Sequence, residues 1–307
     1  MLPLEGQSGD SMAHWAELKA MALYAEAMGF DSLWVPDHLI YDFGAIAGIS
    51  NVPPWGVWEC WSVLAALAAA TVRVELGPFV ACTNFRNPTM IAKMADTIDE
   101  ISCGRLVLGL GAGYHEPEFR AFGYPCDHLV GRFAEALQII HTLLRVGKVD
   151  FHGTYYHAHE CELQPRGPRR QGPPILIGAR QPRTRRLAAQ YADYWNGLGI
   201  RDAEGLAPVR EAVDVACMEV GRDPATLQRT SLLAIDLPGA YERPYGDDVR
   251  KFRSRYSPVR LETPKKLANL LRTFADEGVS LVHLWLQPND LTALDAVAPA
   301  LELLGRA

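Results

Sequence analysis

Two apolar stretches of this chain end abruptly in residues that can move protons or hold a ligand. In AEAMGFDSLWVPDHL (residues 25–39), a buried strand over residues 32–35 is stopped by Pro36 and followed by Asp37 and His38. Imidazole titrates near neutral pH, so a histidine just beyond a strand stop can donate or accept a proton. A loop-capping histidine is the alternative. Asp37 reads as the group that orients His38 or the local backbone rather than as a second acid. In GRLVLGLGAGYHEPEF (residues 104–119), Leu106, Val107, Leu108 and Leu110 run into Gly111-Ala112-Gly113 and then Tyr114, His115 and Glu116. Such a near-continuous apolar run predicts a parallel strand covered on both faces. The glycines after it allow a ligand close to the backbone.

A third junction, ILIGARQPRTRR (residues 175–186), joins a strand to a helix whose N-terminal amides can attract an anion, with Arg180, Arg183 and Arg185 nearby. Phosphate is the natural ligand of that arrangement, and a solvated basic helix start is the alternative. Other chemistry-bearing residues read more plainly. His152, His157 and His159 lie in an extended excursion with no supporting cysteine or acid pair, so no metal is expected. Glu116 and Glu118 flank Pro117, where acids favour a helix N-terminus for structural reasons. Asp96, Asp99 and Glu100 read as the solvated face of a helix. The spacing of Gly109, Gly111 and Gly113 lacks the third glycine offset of a dinucleotide fingerprint, and G-x-S-x-G is absent.

The elements that must position these residues alternate. Helices are predicted over residues 11–28, 58–70, 88–101, 132–144, 184–191, 208–220, 264–277 and 291–304. Strands are predicted over 32–35, 72–80, 106–110, 174–177, 193–196, 231–236 and 281–286. Repeated βα units imply a parallel sheet, and the expectation is a (β/α)8 TIM barrel whose first strand is truncated, Met1 to Leu4 being its last residues. One domain over residues 1–307 is expected, with insertions near 114–129, 149–173 and 237–263 that shape a pocket. In such a barrel the active site gathers at the C-terminal strand ends. That rule collects Asp37 and His38, residues 83–86 and 112–116, residues 178–180, Trp195, Asn196, Asp236 and Gln287.

With 36 acidic against 30 basic residues, the net charge of -6 offers no general attraction to nucleic acid or to anionic membranes. The six cysteines are scattered and read as thiols in a reducing compartment. The longest apolar run, residues 62–72, is about half of the roughly 20 residues that a membrane span needs, and a cytoplasmic protein is expected.

The segments at residues 25–39, 76–125 and 173–196 resemble the bacterial luciferase-like monooxygenase superfamily, particularly its branch of coenzyme F420-dependent oxidoreductases. The resemblance implies a deazaflavin or flavin at the C-terminal mouth of the barrel and a homodimer. It places His38 on the reacting ring face or substrate, a non-prolyl cis peptide at Phe79-Val80 behind the ring, and Ala112, Gly113, Gly178, Ala179 and Arg180 on the cofactor tail and phosphate. Asp37 falls in the same cofactor-binding set. Where some F420 relatives carry a tryptophan and a glutamate, this chain has Asp42 and Tyr114.

The first expectation is therefore an F420-dependent oxidoreductase that exchanges hydride with a small organic substrate. His38 would handle a proton, while Tyr114 and His115 would position the substrate. An FMN-dependent luciferase-like monooxygenase is the close alternative, and a cofactor-binding protein without turnover is the alternative from another class.

Overall fold

The computed structural model describes residues 1–6, 13–42, 54–197, 199–238 and 254–305. Along the chain run β1 (Glu5–Gly6), α1 (Trp15–Ala27), β2 (Ser32–Val35), β3 (Ile40–Tyr41), β4 (Trp55–Val57), α2 (Cys60–Ala70), β5 (Glu75–Pro78) and β6 (Ala81–Cys82). There follow α3 (Pro88–Ile101), β7 (Leu108–Gly111), α4 (Glu116–Phe122), α5 (Leu129–Val146), β8 (Lys148–His152), β9 (His157–Glu162), β10 (Ile175–Gly178), α6 (Pro182–Tyr191) and β11 (Tyr194–Gly197). The chain continues through α7 (Ala203–Glu219), β12 (Gln228–Asp236), β13 (Val259–Arg260), α8 (Pro264–Asp276), β14 (Val279–Gln287) and α9 (Leu291–Leu303).

These elements form the expected parallel barrel. Parallel ladders join β2 to β5, β6 to β7, β7 to β10, β10 to β11, β11 to β12 and β12 to β14, and a bridge from Leu76 to Leu106 links β5 to the strand that becomes β7. The ring closes through the first two residues. The Met1 nitrogen donates to the Leu284 carbonyl at 2.8 Å, and the Leu2 amide to the Trp34 carbonyl at 2.9 Å. Met1 and Leu2 thus occupy the place of a first strand between β2 and β14.

Local signals explain the helix boundaries. The Asn87 side chain caps α3 by accepting from the Thr89 amide, with Pro88 in the first turn. Ile91, Ala92, Ala95 and Ile98 then fall on one buried face, each larger side chain contributing about 1.5–3 kcal/mol through burial. The helix expected from Pro208 begins earlier, because Asp202 accepts from the Gly205 amide and starts α7 five residues upstream.

Two expectations need correction. Residues 72–80 are not one strand: β5 ends at Pro78, the Phe79–Val80 peptide is cis, and pairing resumes at Ala81. Asp96 and Asp99 are not solvated either, being 3% and 0% exposed. Arg166 Nε lies 3.0 Å from Asp96, and Arg169 Nε lies 2.9 Å from Asp99. The Arg-rich loop near residues 164–174 folds back to neutralise two carboxylates that periodicity alone assigns to solvent.

Of the expected insertions, the first contains α4 and the second the β8–β9 hairpin. Residues 239–253, most of the third, and residues 11–12 of the first expected helix lie outside the described residues. Strands β1, β3 and β4 form a small antiparallel sheet beside the mouth that the alternation does not announce. Among the described residues, no helix is long and apolar enough to cross a membrane.

Candidate functional site

A cavity of about 330 Å³ opens at the C-terminal ends of the barrel strands. Its wall includes the loop after β2, the cis Phe79–Val80 corner, the loop after β7, the β10–α6 turn and the end of β11.

His38 lies on its wall with a side chain 12% exposed. Its Nδ1 sits 3.0 Å from Glu118 Oε1 and 3.2 Å from Oε2, and the Leu39 amide donates to Glu118 Oε2 at 2.9 Å. An acceptor carboxylate beside Nδ1 favours the tautomer protonated there, leaving Nε2 as the nitrogen not taken by Glu118. The Tyr41 ring lies against the imidazole, with centroids 4.1 Å apart, and Tyr114 approaches edge-on at 5.7 Å.

Asp37 is paired with Arg86. Its carboxylate accepts from the Cys82 amide at 2.9 Å and from both ends of the Arg86 fork at 2.7 and 3.0 Å. Burial raises the pKa of this carboxyl, and the guanidinium, charged at any ordinary pH, pulls against that rise. Arg86 also donates to Glu59 at 2.8 Å, tying the loop after β2 to the start of α2. Asp37 is therefore an anchor under His38, with part of its surface on the cavity wall. Cys82 shares that wall, and burial pushes its thiol pKa up, so it stays protonated.

The glycines of β7 and of the loop after it have a packing reason of their own. A Cβ on Gly109 would stand 2.1 Å from the Pro78 carbonyl oxygen, so β7 passes too close to β5 for any side chain. Gly113 has φ +76°, and a Cβ there would meet Cys82 Sγ at 2.5 Å and the Phe119 ring at 2.7 Å. Ala112 and Gly113 nonetheless form part of the cavity wall, as do Phe79, Val80 and Gly178.

The remaining expected residues divide. Tyr114 stands at the rim, 56% exposed, facing Tyr256 from the third insertion. His115 is 3% exposed and is not part of the cavity wall; its Nε2 accepts from the Asp42 amide at 3.1 Å. Burial pulls its pKa below the usual imidazole value, in keeping with a neutral ring that fixes the loop of β3. Ala179 is packed away, its carbonyl accepting from Trp195 Nε1 at 2.9 Å, and Arg180 is exposed outside the wall. The wall does include Thr184, in the first turn of α6, whose N-cap residue Gln181 makes no side-chain cap. Among the described residues, the N-cap side chain leaves the first-turn amides of that helix uncapped, beside the cavity.

Residue types alone passed over Glu118 and Tyr256. Glu118 carries the pattern of an ordinary helix-start acid, yet it is 1% exposed and bonded to His38 across 80 positions of sequence. Tyr256 lies in a stretch without periodicity, and its one signal is an aromatic residue in a long insertion.

A family model described as luciferase-like monooxygenase matches residues 1–236. Among curated proteins, the chain is 33% identical over 172 residues to the pyrimidine monooxygenase RutA of Rhizobium rhizogenes, covering 54% of this chain and 47% of that protein. It is 37% identical over 172 residues to the RutA of Methylobacterium radiotolerans, covering 53% and 44%. The chain thus spans about half the length of the curated relatives it matches. Among solved structures, an F420-dependent secondary alcohol dehydrogenase superposes with a TM-score of 0.77 at 18% identity over 94% of both chains. The long-chain alkane monooxygenase LadA superposes with a TM-score of 0.75 at 15% identity, covering 95% of this chain and 84% of that one. At such identities the structural likeness speaks for the barrel alone.

Proposed function

The chain belongs to the luciferase-like monooxygenase family, and from that premise we propose that it is an oxidoreductase holding a flavin-type ring at the barrel mouth. The observation that carries this reading is the His38–Glu118 pair on the wall of a cavity floored by Phe79 and Val80.

The residues present fit such a group. Phe79, Val80, Ala112 and Gly113 offer a surface without charge for a flat ring, and the uncapped amides of α6 suit a phosphate on its tail. When bound, the ring would supply the electrons and, in the flavin case, the activation of oxygen. The chain's own residues do the rest. Glu118 holds His38 Nδ1, so that Nε2 can give or take a proton, and Tyr41, Tyr114, Tyr256 and Trp285 add aromatic surface to the wall.

We favour FMN and oxygen over F420, because the relatives at 33% and 37% identity are monooxygenases by name while the F420-dependent dehydrogenase shares 18%. The substrate would then be a small organic molecule, with pyrimidines the first class to try. F420 hydride transfer is the second reading, favoured by the sequence segments that resemble that branch. Fluorescence titration with FMN and with F420, followed by oxygen uptake with the reduced ring, separates the two. FMN binding with substrate-dependent oxygen uptake supports the first; F420 binding without oxygen uptake replaces it with the second. Binding of neither ring overturns both.

A further inference from the structure

Within the same cavity, and resting on the proposed flavin-type ring, one side chain is left with an unfilled hydrogen-bond acceptor. Asn196, at the end of β11, is 0% exposed and belongs to the wall. Its Nδ2 donates to Thr230 Oγ1 at 2.7 Å. The Thr230 hydroxyl has one hydrogen, which it gives to the Trp195 carbonyl at 3.2 Å, so toward Asn196 it can only accept. With the hydroxyl donating to Trp195, the amide presents its Nδ2 to Thr230. Asn196 Oδ1 is consequently turned away from Thr230, and among the described residues it has no partner.

A buried carbonyl oxygen without a donor is unfavourable and calls for an explanation. The two residues that fix it, Trp195 and Thr230, are themselves fully buried on neighbouring strands, so the oxygen cannot rotate to solvent without breaking the Thr230 bond. The two carboxylates at the mouth are satisfied within the protein: Asp37 by Arg86 and the Cys82 amide, and Glu118 by His38 and the Leu39 amide.

We propose that Asn196 reads the bound ring, its Oδ1 accepting a hydrogen bond from a lactam or imide N–H of the heterocycle, with Thr230 as the residue that positions it. Flavin and deazaflavin rings both carry such an N–H, so the contact selects for the ring class rather than between its members.

The test is equilibrium binding of FMN and of its N3-methyl derivative, followed by ring fluorescence, in the wild type, Asn196→Leu and Thr230→Val. The wild type should bind the methylated ring about tenfold more weakly than FMN, the size of one buried hydrogen bond. Asn196→Leu, similar in volume but without the acceptor, should bind FMN about tenfold more weakly and no longer distinguish the two rings. Thr230→Val keeps Asn196 in place but frees the amide to turn, and should show intermediate discrimination; it serves if the leucine variant does not fold. If the variants discriminate as the wild type does, methylation acts by bulk alone and the inference fails while ring binding stands. If the wild type binds neither FMN nor F420, the proposed function fails and takes this inference with it.

Discussion

His38 and His283 are both imidazoles delivered by barrel strands, and the fold uses them in opposite ways. His38 comes two residues after Pro36, at the cavity, with Glu118 on Nδ1. His283 sits inside β14, 3% exposed, between Trp34 and Phe79, each with its ring centroid 4.6 Å away. Neither of its nitrogens has a hydrogen-bond partner among the described residues. Burial pushes its pKa down to about 3, so the ring is neutral and fills space behind Phe79. A carboxylate within reach, and not the residue type, is what separates the two, and it is the ground on which the proposed function assigns proton transfer to His38. The same holds for carboxylates: Glu118 serves His38, whereas Asp37 is consumed by Arg86.

The sharpest break between the two histidines is in turnover. His38→Ala should lower kcat, on whichever substrate supports turnover in the wild type, by about 10²–10⁴-fold, the usual worth of a positioned proton-transfer group. His283→Phe should leave kcat close to wild type, and equal losses in both variants would erase the distinction. Next in size is the anchor under His38. Arg86→Met leaves Asp37 buried without its cation and should cost about 3–5 kcal/mol in urea unfolding; an unchanged midpoint would show that Asp37 does not depend on the pair.

Acid sensitivity sharpens the comparison from the other side. Folded His283 protonates only near pH 3, while an unfolded histidine does so near 6.5. In that window the unfolded chain binds more protons, so stability present at neutral pH is lost as pH falls through 6.5 and goes on falling toward 3. By pH 5 this one ring should account for about 2 kcal/mol. His283→Phe should remove that part of the slope, read from urea midpoints at pH 7 and pH 5, and an identical slope would mean that water reaches the ring. The smallest effect concerns Arg180, exposed and off the wall. Arg180→Ala should weaken FMN binding by no more than about fivefold, as befits an exposed charge; a larger loss would bring its guanidinium onto the cofactor tail.

The strand ends were legible in sequence because proline and glycine stop elements locally. Pro36 places Asp37 and His38, Pro88 opens α3 behind the Asn87 cap, and the apolar run from Leu106 announces β7. Less was legible wherever an element owes its place to partners distant in sequence. Asp96 and Asp99 look solvated until Arg166 and Arg169 return 70 residues later. His115 looks like a site residue, but the Asp42 amide takes its Nε2.

By itself, then, the sequence determined the βα order, the barrel, and the set of side chains delivered to its C-terminal mouth. Those follow from hydrophobic periodicity and from turn residues, which act over a few positions of chain. Only the tertiary structure decided which of the delivered side chains meet: Glu118 with His38, Arg86 with Asp37, and Thr230 with Asn196. Ring closure brings strand ends together that are tens of residues apart in sequence, and each pairing settles burial, tautomer and charge at once. No local pattern carries that information, because a carboxylate at a helix start reads the same whether water or an imidazole lies beyond it.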